Sequence, residues 1–391
     1  MRAGACRVRG ASHRSRAQHV LALIAYLAGC TSGADAFCQL GDEHEVARTS
    51  GKDFDAIDLV ATGNRAIAFW SVAGGLFAQA LDAHGASVGQ RVRLGVRCDG
   101  GFGAVAARDG AEVACLLHPT RGKHEQPGGL VLHSIDRALR VTRTRLLGGA
   151  GPQSEGVALA RGDAGLAVAW HDGAPDAHRI WWASLADGAE PPRVISEHGR
   201  MAQAPAMATR GGRTALAWAE NWIERGELAS RLVIWDGRSA PRTLLEHAHV
   251  AAMPQLFPLG ASLALGYRDR TGAGAKTGLY LAKVGARGDA LGRAVRAGRA
   301  DGVGRPALQA CMDGVVAATP RTYGGDYFVG INWFDHRLEK SRGEQQFYED
   351  AHAFTHVSAA CFGAHALLLI AEFPQLQRDT TALRAAPYRC R

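Results

Sequence analysis

Four acidic residues, Asp172, Glu220, Asp269 and Glu372, each fall two positions past a recurring bulky residue, in what reads as one repeated place. Polar links follow or lie at equivalent places, at 119–127, 220–230 and 320–327, with Trp222, Arg225, Arg268, Arg321 and Tyr323 in or beside them. Carboxylates, guanidiniums and aromatic planes on one surface suit recognition of a glycan or peptide. Rings stack on the ligand while charged groups fix its polar substituents. The candidate ligand-binding set is therefore Asp172, Glu220, Trp222, Asp269, Arg321, Tyr323 and Glu372. The same acids read alternatively as a polysaccharide-cleaving site, which needs two carboxyl groups about 5–9.5 Å apart across the scissile bond. A plainer use is local: each acid ends a strand and pairs with a nearby Arg, an interaction that contributes about 0–1 kcal/mol when exposed.

Other chemistry finds little support. There is no Gly-x-Ser-x-Gly elbow and no His-Glu-x-x-His pair. The Gly-rich pieces at 100–103 and 272–276 precede no helical pattern, so they do not read as phosphate cradles. His118, His124 and His133 lie in one copy of the repeat but without ligand spacing, and no Cys/His spacing of zinc type occurs. No cofactor, metal or catalytic residue is expected. Arg108, Arg161 and Arg210 recur where a first strand turns into a second and read as solvated turn residues.

What must position these side chains is a repeated segment. Residues 55–89 carry an Ala-rich alternating run, a Gly turn, a run ending on an aromatic, a polar stretch and a third apolar run closed by Asp or Gly. The frame returns from Glu155 and again from Ala204. Aligned on Trp70, Leu117, Trp170, Trp218, Tyr267, Thr319 and Ile370, seven copies of roughly 50 residues span the chain, a period that fits propeller blades. Alternation with period 2 excludes a helical solenoid of similar repeat. The expected fold is all-β: a seven-bladed β-propeller of four-stranded antiparallel blades, in one domain over 37–391. In the third copy the strands are expected at about 155–161, 165–171, 179–185 and 191–196. Small residues suit innermost strands that converge on an axis, and the tryptophans suit the surfaces where blade packs on blade. Asp82, Asp136, Asp236 and Asp335 each follow an apolar residue and read as turn-opening residues.

The last copy ends early, at a third strand over 382–390, so the segment 37–47 is expected to close the ring as its outer strand. That brings Cys38 beside Cys390. Six cysteines remain once Cys6 and Cys30 are assigned to the N-terminal signal, an even number that implies disulfides in an exported chain. Cys98 and Cys115 lie in one copy, and Cys311 and Cys361 end inner strands of adjacent copies. The expected pairs are Cys38–Cys390, Cys98–Cys115 and Cys311–Cys361.

The N-terminus supplies the address. Residues 1–19 hold five Arg and no acid, and a short apolar run follows from Val20. That run is too short to cross a bilayer and reads as a secretion signal. Its ending, Leu27-Ala28-Gly29-Cys30, resembles the lipobox of bacterial lipoproteins. The resemblance implies cleavage after residue 29, acylation of Cys30 and a tether over 30–36. Thr31 is not the Asp of the inner-membrane retention pattern, which favours the outer membrane. Of the 45 basic residues, five leave with the signal, whereas all 37 acids stay. The high formal charge therefore belongs to the signal, and no nucleic-acid partner is expected.

The repeats themselves resemble the loosely conserved propeller repeats of exported bacterial proteins, over nearly all of 37–390. Named propeller families fit less well. Trp235-Asp236 lacks the Gly-His partner of WD40 repeats, the Gly pairs lack the kelch aromatics, and the Ser-x-Asp-x-Gly-x-x-Trp box of sialidases is absent. The expected function is an envelope-anchored binding or scaffolding lipoprotein, held at the membrane by its lipid and presenting one face to a glycan or envelope protein. The alternative is a glycoside hydrolase or lyase using carboxylates of that face.

Overall fold

A computed structural model describes residues 38–390, apart from 51–53, 100, 119–127, 149–154, 174–176, 187, 249–251, 270–276, 286–287, 301–304, 324–325, 340, 349–351 and 375–379. Every regular element among the described residues is a β-strand. The strands form seven antiparallel sheets, the seven blades of a propeller. Blade three holds strands at Glu155–Gly162, Gly165–Asp172, Arg179–Ser184 and Arg193–Val194, close to the spans that alternation predicts.

Innermost strands run over Ala56–Thr62, Phe102–Ala107, Glu155–Gly162, Met201–Arg210, Ala252–Leu259, Ala307–Cys311 and His352–Phe362. Each turns tightly into a second strand: Arg65–Val72, Gly110–Leu117, Gly165–Asp172, Arg213–Glu224, Ser262–Asp269, Gly314–Tyr323 and His365–Pro374. Small residues on the inner strands permit their convergence. A Cβ added at Gly103 would lie 2.8 Å from the Val157 carbonyl oxygen of the next blade. The turn-opening acids act locally: Asp82 Oδ1 accepts from the N–H groups of His84 and Ala86 at 2.8 and 2.9 Å. Asp136 does the same for Ala138 and Arg140, and the Arg140 N–H holds its carboxyl below the usual range.

The core lies between blades. Trp70 packs with Leu367, Leu369 and Leu383 of blade seven, Trp170 with Leu116 and Leu130 of blade two, and Trp218 with Ala158 and Ile180 of blade three. All three indoles are fully buried. Burial of this kind stabilises by roughly 1.5–3 kcal/mol per large side chain, so the inter-blade tryptophans are a main source of cohesion.

One part of the repeat frame shifts. The hairpin pairs Thr62–Arg65, Ala107–Gly110 and Gly162–Gly165 are equivalent, and counting forward from them aligns Trp70 and Trp170 with Cys115 rather than Leu117. Blade two has no aromatic at this place. Cys115, fully buried and bridged to Cys98, fills it instead, which is why a search for a bulky residue lands two positions late.

Blade seven joins both ends of the chain. Its third strand, Thr380–Cys390, pairs on one edge with His365–Pro374 and on the other with Cys38–Leu40 and His44–Ser50. The N-terminal segment thus closes the ring in two pieces, and Cys38 lies opposite Cys390 in register. Disulfides join Cys38 to Cys390, Cys98 to Cys115 and Cys311 to Cys361.

Candidate functional site

The corrected frame puts Val72, Leu117, Asp172, Glu220, Asp269, Arg321 and Glu372 at one position of the seven second strands. Second strands run in the same direction around a propeller, so these residues ring one face. Glu220, Asp269, Arg321 and Glu372 are buried there, and Asp172 is partly exposed.

Their partners explain the burial. Glu220 Oε2 accepts from Arg231 Nε at 2.8 Å and lies 2.7 Å from Arg231 Nη2, while Oε1 accepts from the Trp218 indole at 2.8 Å. Arg231 also meets Glu197 at 2.7 Å. Burial disfavours its charge, but the bonds from Glu220 and Glu197 hold its guanidinium protonated. Glu372 lies 2.7 Å from Arg384 Nε, and Arg384 also reaches Glu43 at 3.3 Å, tying the N-terminal segment to blade seven. Arg321 pairs with Glu344 and lies over the Phe328 ring at 5.0 Å. Asp172 accepts from the Gly173 N–H at 2.8 Å and sits opposite Arg179. Asp269 lies close enough to Tyr267 to add to the burial that pushes that phenol up to about 12. The acids and guanidiniums therefore meet in pairs within single blades, with Glu197 added from the link that leads into blade four.

Blade four also contributes to this face. Its second strand, Arg213–Glu224, is the longest of the seven and turns through Arg225 and Gly226, both at positive φ, into Glu227–Trp235. Ile223 and Leu228 are cross-strand partners on this hairpin and are 69% and 45% exposed. Trp222, partly exposed, lies beneath the Arg200 guanidinium at 4.2 Å. Tyr323 ends a strand opposite Asp326, and its side chain lies outside the described residues. Cys30, the expected lipid attachment, lies outside them too. Arg268 donates to the Ala300 carbonyl, Arg161 lies 3.5 Å from Glu112, and Arg210 donates to the Gly260 carbonyl.

A second constellation sits on the axis, and pattern reading passed over it. The inner-strand residues opposite the position just before the aligned one are Asp58, Gly103, Ala158, Ala206, Gln255, Ala307 and Ser358. All seven line a channel of about 260 Å³, with Arg305 and Gln309 beside them. Asp58 is held by three donors: the Leu59 N–H at 2.8 Å, the Ala104 N–H at 3.1 Å and the Ser358 hydroxyl at 3.2 Å. It thereby stitches blades seven, one and two. Burial pushes its carboxyl above the usual range, against the pull of those bonds and of Arg305. The signal in the sequence is a lone acid inside the apolar run Ala56-Ile-Asp-Leu-Val60, at a place where four other copies carry Gly or Ala next to their apolar neighbours.

No protein-family model matches the chain, and no curated protein matches it. Among solved structures it is similar to the polysaccharide lyase Uly1, at 10% identity and a TM-score of 0.51, over 89% of this chain and 99% of that one. It is also similar to the Dos1 propeller, at 8% identity and 0.47, over 89% and 95%. A Trypanosoma rangeli sialidase aligns at 10% identity and 0.44, over 86% of this chain and 55% of that one. At such identities the likeness speaks to the fold alone; the chain's own seven sheets define the class, a seven-bladed propeller, here with three disulfides.

Proposed function

We propose that this chain is an exported, lipid-anchored propeller that binds a glycan or envelope protein through the face carrying the blade-four hairpin, and does not cleave what it binds. The observation that carries this reading is the state of the acids. Glu220 and Glu372 are spent on buried pairs with Arg231 and Arg384. A carboxylate so buried and bonded has no access to a substrate, and catalysis by it would first require breaking its pair. What the face offers to a partner is surface: Ile223, Leu228, Trp222 and the partly exposed Asp172. Three disulfides fit an oxidising, exported location. The Leu27-Ala28-Gly29-Cys30 ending supports acylation at Cys30, and Thr31 in place of Asp favours the outer membrane.

The test incubates the mature chain with a panel of neutral and acidic polysaccharides and with isolated envelope fractions. Retention should occur without release of reducing ends or of unsaturated sugar products, and Ile223→Ser with Leu228→Ser should weaken retention. Product release that Glu220→Gln or Glu372→Gln abolishes would replace the binding reading with the hydrolase or lyase one.

A further inference from the structure

We propose that the axial channel is a second binding site, separate from the hairpin face, and that it takes a small carboxylate carrying hydroxyl groups, with Arg305 as its ion-pair partner. Arg305 stands where blade six begins, its backbone bridged to His356 of blade seven. It is solvent-exposed and lines a channel that is itself open to solvent. Among the described residues it makes no hydrogen bond or ion pair. Asp58, the one acid among the described residues that line the channel, is already engaged by the Leu59 and Ala104 N–H groups and the Ser358 hydroxyl.

A guanidinium that faces the channel with no bonded anion keeps its planar fork free, and a carboxylate matches that fork with two parallel hydrogen bonds. The shape of the charge selects the ligand. Asp58 lies near enough to disfavour a dianion, so a single negative charge fits better than phosphate or sulfate. The polar arc comes from contiguous blades: Gln255, Arg305, Gln309, Ser358 and Asp58. Its carboxylate, amide and hydroxyl oxygens can accept from ligand hydroxyls. Across the axis, Gly103, Ala158 and Ala206 leave room because they carry almost no side chain. At about 260 Å³ the space is below the roughly 300–1,000 Å³ of drug-sized pockets, which fits a compact ligand.

The probe is D-gluconate, titrated calorimetrically into the full mature chain in detergent, with glucose as the neutral control of similar size and sulfate as the dianion. Gluconate should bind, glucose and sulfate should bind far more weakly, and Arg305→Gln should weaken gluconate by about tenfold or more. The unfolding midpoint of each variant is measured alongside. If Arg305→Gln fails to fold, Arg305→Lys decides, because it keeps the charge and loses the fork, and several-fold weaker binding is expected. The proposal is overturned by no binding of gluconate, by equal binding of glucose or sulfate, or by a folded Arg305→Gln or Arg305→Lys that binds as the wild type does. Loss of envelope or polysaccharide retention in the hairpin variants, with gluconate binding intact, would separate the two sites.

Discussion

Glu220 and Arg231 sit directly across from each other on neighbouring strands of blade four, with two guanidinium nitrogens at 2.7–2.8 Å from one carboxylate oxygen. The carboxylate is inaccessible to solvent and also receives the Trp218 indole N–H. Removing one partner leaves the other charge buried.

Glu220→Ala is therefore expected to destabilise by roughly 3–5 kcal/mol, the usual cost of breaking a buried pair. Glu220→Gln should cost less, because its amide oxygen can still accept from Arg231. Urea unfolding monitored by tryptophan fluorescence reads both. Equal stability of wild type and Glu220→Ala would show that the pair contributes nothing to cohesion.

The three disulfides should rank by the chain they enclose. Cys38–Cys390 spans 352 residues, Cys311–Cys361 spans 50 and Cys98–Cys115 spans 17. In the chain-entropy picture the shortest contributes about 3 kcal/mol and the longest about 5 or more. Paired Cys→Ser variants, compared by thermal unfolding, should lose stability in that order. A ring whose melting is unchanged in Cys38→Ser with Cys390→Ser would mean that the strand pairing alone holds the closure.

His133 should make stability depend on pH. Its ring is buried, with Nδ1 at 3.0 Å from the Thr144 hydroxyl, and burial lowers its pKa from 6.5 to about 4. The unfolded chain thus binds a proton that the folded chain refuses. The stabilisation is complete above about pH 6.5 and is lost as pH falls towards 4, by at most about 3 kcal/mol. The difference in unfolding free energy between wild type and His133→Gln should shrink across that window. A difference that stays constant from pH 7 to 4 would remove His133 as the cause.

Acylation at Cys30 should be visible by metabolic labelling. Palmitate should enter the wild type and not Cys30→Ala, and the variant should shift from the membrane to the soluble envelope fraction. Equal labelling of both proteins would remove the anchor.

Much of the scaffold was legible because strand alternation and small inner residues are local properties. Trp70, Trp170 and Trp218 mark equivalent places in the repeat, and all three pack against the preceding blade. Blade two escaped that rule because a disulfide, not an aromatic, fills the space at Cys115. The candidate site was legible in position and not in state. Asp172, Glu220, Asp269 and Glu372 do share a register, but whether an acid faces solvent depends on its neighbour across the sheet. Arg231 lies 11 residues beyond Glu220 in the chain, and Arg384 sits diagonally from Glu372 across the sheet. Arg321 belongs to the same ring as the acids, a relation hidden until the register is known. Asp58 was missed because its partners, Ala104 and Ser358, come from two other blades, the second of them 300 residues away.

The split outer strand of blade seven sets an order of events for a chain that is made from its N-terminus. Cys38–Leu40 and His44–Ser50 emerge first, and the strand they join, Thr380–Cys390, emerges last. The earliest segment therefore waits as an unpaired edge while six blades are assembled beside it, the most non-local pairing the molecule contains. Such pairing is slow, and the waiting edge is open to association with other chains. Final closure belongs to the moment after the last strand is made, so a nearly finished ring must be shielded while its first and last strands have yet to meet.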